Sequence, residues 1–106
     1  MKKILVIDDE EWLREMVQLA LSQQGYEVVE APNGATGVEV ARKQLPDLIL
    51  CDVNMDKMDG YLTLSSLRNE PATASIPFIL MTGLADHAGM RHGMELGADD
   101  YLPKPF

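Results

Sequence analysis

Three stretches of the chain are apolar without alternation: Lys3 to Asp8 (Lys-Ile-Leu-Val-Ile-Asp), Asp47 to Asp52 (Asp-Leu-Ile-Leu-Cys-Asp) and Ile76 to Thr82 (Ile-Pro-Phe-Ile-Leu-Met-Thr). A β-branched run with no polar face suits a strand buried on both sides, as in a parallel sheet. Between the first two runs the period changes. Leu13, Met16, Val17, Ala20 and Leu21 recur at helical spacing, with Glu10 and Glu11 at the favourable N-terminal end and Gly25 as the stop. A shorter strand is expected at Tyr26 to Glu30. Asn33 is then placed to cap a second helix carrying Val38, Val40 and Ala41, which Leu45-Pro46 ends. A third helix is expected from about Gly60 to Asn69, bounded by Pro71. A fourth covers roughly Asp86 to Leu96 and is closed by Gly97, although Gly89 and Gly93 weaken it. The last strand falls near Asp100 to Leu102.

Strands alternating with helices through short links predict an α/β fold, a doubly wound parallel sheet with right-handed crossovers. In such sheets ligands sit beyond the carboxyl ends of the strands. That rule gathers Asp8 and Asp9, Asp52 and Thr82 at one edge, with Lys104 just past the last strand joining them. With 106 residues the chain suffices for one core, and residues 1–106 read as a single domain without repeats or linkers.

Composition narrows the function. Apolar residues make up 46% of the chain, yet no run approaches the roughly eighteen needed to span a membrane. The basic and then apolar start, Met1 to Ile7, stops at Asp8, short of the apolar core of a signal peptide. Nine basic against seventeen acidic residues give a formal charge of −8, which disfavours direct contact with nucleic acid. The one cysteine, Cys51, excludes an internal disulfide and fits a reducing compartment, so the cytoplasm is the expected location.

Three carboxylates in one pocket repel unless a cation accompanies them. Hard oxygen donors of this kind suit Mg²⁺, or Mn²⁺ in its place, which pairs with one or two carboxylates and with phosphate oxygens. A carboxylate so placed can act as a nucleophile towards phosphorus and form an acyl phosphate. Lys104 and Thr82 then supply an ammonium and a hydroxyl to the transferred group.

These residues, spread over five separated places, resemble the receiver domain of two-component response regulators. The resemblance implies a flavodoxin-like fold, a five-stranded sheet of order 2-1-3-4-5. It implies that Asp8 and Asp9 are the metal-binding acidic pair, with Asp9 the direct ligand and Asp8 acting largely through water. Asp52 matches the phosphoacceptor, and Asp52-Val53-Asn54-Met55-Asp56-Lys57-Met58-Asp59-Gly60 the loop after it, with Asn54 offering the metal its backbone carbonyl. Thr82 matches the switch hydroxyl, Gly83 a phosphoryl-binding amide, and Tyr101 the aromatic that reorients with that hydroxyl. Lys104-Pro105-Phe106 matches the family's lysine and proline, whose shared peptide bond is expected to be cis. The implied partner is a sensor histidine kinase or phosphotransfer protein, and the implied output is a shift between two packings driven by added charge. The domain would catalyse only its own phosphorylation and slow dephosphorylation, with no direct nucleic-acid or membrane contact.

Several positions depart from that pattern. Asp56 stands where proline is usual, Gly83 replaces alanine, and Pro103 precedes Lys104. The chain stops at Phe106, where a fifth helix normally follows, so apolar sheet surface and a flank of the first helix are expected to lie open. A truncated chain, a homodimer or a domain swap would account for this. Two other functions compete with this one: a small phosphohydrolase with Asp52 as nucleophile, and a receiver-like binding module that is not phosphorylated. Asn54 cannot protonate a leaving group, which argues against the first. The full set of charges argues against the second. His87 and His92 read as surface or structural, and Cys51 as a small buried residue.

Overall fold

A computed structural model describes residues 2–53, 55, 58–82 and 93–103, with the backbone alone for Pro103. Its five strands, β1 (Lys3–Ile7), β2 (Glu27–Ala31), β3 (Leu48–Asp52), β4 (Phe78–Thr82) and β5 (Asp100–Pro103), form one parallel sheet of order β2-β1-β3-β4-β5. The order expected from the family resemblance is thus the one found. Strand bounds differ by a residue or two. Tyr26 belongs to the turn before β2, and its N–H bonds to Leu21 O. Ile76 precedes β4 because its N–H is taken by Thr73 O, closing a turn.

Helix α1 (Glu11–Gln23) starts without a side-chain cap from Glu10 and ends at Gly25, whose φ of +92° lets the chain reverse. Helix α2 (Gly34–Gln44) is capped by Asn33, whose side-chain oxygen accepts from Thr36 N at 2.8 Å. It ends through Leu45 in the left-handed region, φ 47°. Helix α3 (Gly60–Arg68) is capped by Asp59, which accepts from Leu62 N at 2.9 Å. Residues 93–96 are helical, and Gly97, φ +104°, closes that turn with Ala98 N bonded to Gly93 O at 2.9 Å. The start of the expected fourth helix lies outside the described residues.

Alternation along the strands splits the core into two layers. Leu5, Ile7, Ile49, Cys51, Phe78 and Leu80 face α2 and α3. Ile4, Val6, Leu50 and Met81 face Leu13 and Val17 of α1. The first helix differs from its expected apolar face, because Met16 and Ala20 are exposed. Helix α1 packs on β1 and β2, so only the flank over those strands is buried. Along the same sheet face Leu48, Ile79 and Leu102 are only partly buried.

Candidate functional site

Parallel register explains how residues far apart in sequence meet. Ile7 of β1 lies beside Cys51 of β3, so Asp8, just past β1, and Asp52, the last residue of β3, fall at the same edge of the sheet. Adjacent strands run about 4.8 Å apart, which brings the two backbones into one mouth. On the other side Asp52 pairs with Met81, and Thr82 follows one step later. All three side chains are withdrawn from solvent: Asp8 is 0%, Asp52 4% and Thr82 7% exposed. Polar groups this deep are retained only where partners satisfy them.

The backbone holds each strand end firmly. Asp8 N donates to Ala31 O at 3.1 Å, extending the ladder between β1 and β2 beyond Ile7. Arg14, one turn into α1, donates to Asp8 O at 2.7 Å and pairs with Glu30 of β2 at 3.3 Å. After Asp52, Val53 N bonds to Met81 O and Gly60 N returns to Val53 O, both at 2.9 Å. A side chain at Gly60 would collide there, because a Cβ would sit 2.5 Å from Asp52 O. The loop after the central aspartate is therefore cinched at both ends.

Asp8, Asp9 and Glu10 bring carboxylate oxygens within 4.8 Å of one another. Asp8 is buried and the other two are exposed, so the cluster opens to water on one side. A hard divalent cation fits this donor set, which is all oxygen and short of positive charge. Sequence reasoning misses Glu10 as a candidate for the cluster, because there it reads only as favourable charge at a helix start. The signal that could have found it is local: Asp8 Oδ1 accepts from Glu10 N at 2.9 Å, a turn that folds residue 10 back over residue 8. Cys51 beside Asp52 is fully buried, and burial, reinforced by the Asp52 charge, pushes its thiol well above its ordinary range. It packs in the core between the sheet and helices α2 and α3. Tyr101 is half-buried on β5 opposite Leu80, and its hydroxyl lies 3.4 Å from that of Tyr61 on α3. Asn54, Gly83, Lys104 and Pro105 lie outside the described residues, as do His87 and His92.

The family model for the response regulator receiver domain matches residues 4–106. The chain belongs to this family. Among curated relatives, this receiver is 46% identical over 105 residues to a probable transcriptional regulator, ycf27, of Cyanophora paradoxa, covering 99% of this chain and 43% of that protein. It is 39% identical over 106 residues to the DNA-binding dual master transcriptional regulator RpaA of Synechocystis sp., covering 100% of this chain and 44% of that one. The receiver thus spans about two-fifths of the length of these relatives. The solved chemotaxis protein CheY4 of Vibrio cholerae superposes with a TM-score of 0.96 at 33% identity, covering 100% of this chain and 88% of that one. A putative response regulator from Chloroflexus aurantiacus gives 0.94 at 37%, covering 99% and 86%. Receivers are signalling domains of two-component systems, and no helix among the described residues is long and apolar enough to cross a membrane.

Proposed function

We propose that Asp52 accepts a phosphoryl group and that residues 1–106 act as one phosphorylation-controlled switch in the cytoplasm. The observation that carries this reading is the placement of Asp52, 4% exposed at the end of β3, beside buried Asp8 and the acidic cluster that Asp8 anchors. A carboxylate oxygen of Asp52 attacks phosphorus, the bond from phosphorus to the donor's imidazole nitrogen breaks, and the nitrogen keeps that electron pair. The donor is a histidine kinase or a phosphotransfer protein. Mg²⁺, when bound, neutralises charge on the phosphoryl oxygens. Asp8 and Asp9 would hold it, with Asp52 and the Asn54 carbonyl completing the set. Thr82 and Lys104 bind the transferred group together with the Gly83 amide, and Tyr101 follows Thr82 as the packing shifts. The chain catalyses only its own modification and its slow loss, and an output segment or partner of a longer protein reads the change.

Incubation with Mg²⁺ and acetyl phosphate tests the reading by intact mass. One added phosphoryl group is expected on the wild type and none on Asp52→Asn. Equal modification of both proteins, or of neither, rules it out.

A further inference from the structure

Tyr101 is gripped from two sides that no strand pairing requires. A Cβ at Gly93 would collide with the Tyr101 hydroxyl, and would lie 2.7 Å from Leu80 Cδ1. The absence of a side chain at position 93 is what leaves room for the ring. From the other side the Tyr101 hydroxyl donates to the Tyr61 hydroxyl at 3.4 Å, a long bond between two half-buried groups. Tyr61 sits in the first turn of α3, one residue after Gly60, whose N–H is tied to Val53 O at 2.9 Å. Asp52 immediately precedes Val53 in the chain. A short, hydrogen-bonded path therefore runs from Asp52 through the base of α3 to Tyr101, separate from the path through Thr82.

We infer that Tyr61 and Gly93 together form a catch for Tyr101, with Gly93 as its seat and the Tyr61 hydroxyl as its latch. This rests on the reading of Tyr101 as the moving aromatic of the switch. The catch sets how much of the protein holds Tyr101 docked before any phosphoryl group arrives, and movement at the start of α3 reaches Tyr101 through the latch. A ligand or modification shifts such an equilibrium only through contacts that differ between its two states. The long hydroxyl contact belongs at the weak end of hydrogen bonding, so its loss should change the docked-to-undocked ratio by roughly two- to threefold. Filling the seat acts by overlap rather than by a lost bond, and should empty the docked state almost completely.

The test uses the full chain labelled with 3-fluorotyrosine, whose three tyrosines give separable ¹⁹F signals. Exposure of Tyr101 is read from broadening by a soluble paramagnetic chelate, in wild type, Tyr61→Phe and Gly93→Ala. Cooperative melting is checked for each. Broadening of Tyr101 should rise modestly in Y61F and approach that of an open tyrosine in G93A. An unchanged Tyr101 signal in folded Y61F overturns the catch, as does an unchanged signal in folded G93A. If G93A does not fold, Y61F decides alone. Treating the same samples with Mg²⁺ and acetyl phosphate and measuring mass keeps the two readings apart: an unmodified wild type removes the phosphoacceptor reading, while the Tyr101 exposures still decide the catch.

Discussion

The indole N–H of Trp12 donates to Glu10 Oε2 at 2.9 Å, which couples the only tryptophan of the chain to an exposed carboxylate of the acidic cluster. On the proposed reading, a cation entering among Asp8, Asp9 and Glu10 would draw that carboxylate away from the indole. Trp12 emission should therefore change saturably with Mg²⁺. A carboxylate about 4 Å from a divalent cation contributes roughly 2 kcal/mol in water and less in salt. Glu10→Gln should accordingly raise the half-saturation point by about five- to thirtyfold. Flat emission across a titration in which Asp52 modification still requires Mg²⁺ would place the cation away from Glu10.

Gly60 and Gly25 should behave oppositely on substitution. A methyl group at Gly60 meets Asp52 O at 2.5 Å and Leu80 Cδ2 at 2.9 Å, so backbone must move. Gly60→Ala is expected to cost about 1–3 kcal/mol, lowering the melting temperature by roughly 5–20 °C. It should also slow Asp52 modification, because the displaced carbonyl belongs to the acceptor. A Cβ added at Gly25 would meet nothing within 4 Å, but the φ there is +92°, so Gly25→Ala strains the turn alone. Its cost should be about 1 kcal/mol, with modification rates unaltered. Thermal melts with acetyl phosphate kinetics separate the two.

How far these features were legible follows from their range in sequence. The strand cores Ile4–Ile7 and Leu48–Cys51 could be read because each is a continuous apolar run, and the Asn33 cap because its partner Thr36 is three residues away. Asp8, Asp52 and Thr82 could be joined because the parallel fold puts every strand end at one edge. Glu10 was hidden because its carboxylate matters through a turn at Asp8. The tie between Tyr61 and Tyr101 spans 40 residues, and that between Arg68 and Gly97 spans 29, distances at which neither period nor spacing carries a signal. The helix end at Leu45 could be read from Pro46, but not its left-handed conformation, which is set by what surrounds it.

Arg68 joins three segments at the end of the sheet away from Asp52. Its guanidinium donates to Ile76 O at 2.8 Å and to Gly97 O at 2.9 and 3.1 Å, and meets Asp99 Oδ2 at 3.2 Å. The Arg68 side chain is 18% exposed and that of Asp99 57%, so the ion pair is screened and worth under about 1 kcal/mol. The bonds to carbonyls dominate. Arg68→Ala should cost about 2–3 kcal/mol by urea unfolding, and Arg68→Lys should recover little, since an ammonium cannot bridge both carbonyls. Asp99→Asn should cost about 1 kcal/mol or less, because an amide oxygen can still accept from Phe78 N, now bonded at 2.8 Å. An Asp99→Asn loss equal to that of Arg68→Ala would show that the ion pair governs the clamp.

Cys51 should make stability fall at alkaline pH. Burial, with the neighbouring Asp52 charge second, raises its folded-state pKa well above the unfolded value of 9.0. A group raised in this way holds its proton longer in the folded chain than in the unfolded one. Its contribution is complete below about pH 9 and is lost as pH rises further, because unfolding then releases a proton. The slope approaches about 1.4 kcal/mol per pH unit. Urea unfolding of wild type and Cys51→Ala at about pH 8 and about pH 10 isolates this effect, since the other groups titrating there are common to both proteins. The wild type should lose roughly 1 kcal/mol more than C51A across that interval. At about pH 8 the native thiol should also resist alkylation and react only as the chain opens. Equal losses in the two proteins, or rapid alkylation of the native chain, would show that the thiol is not held as this burial requires.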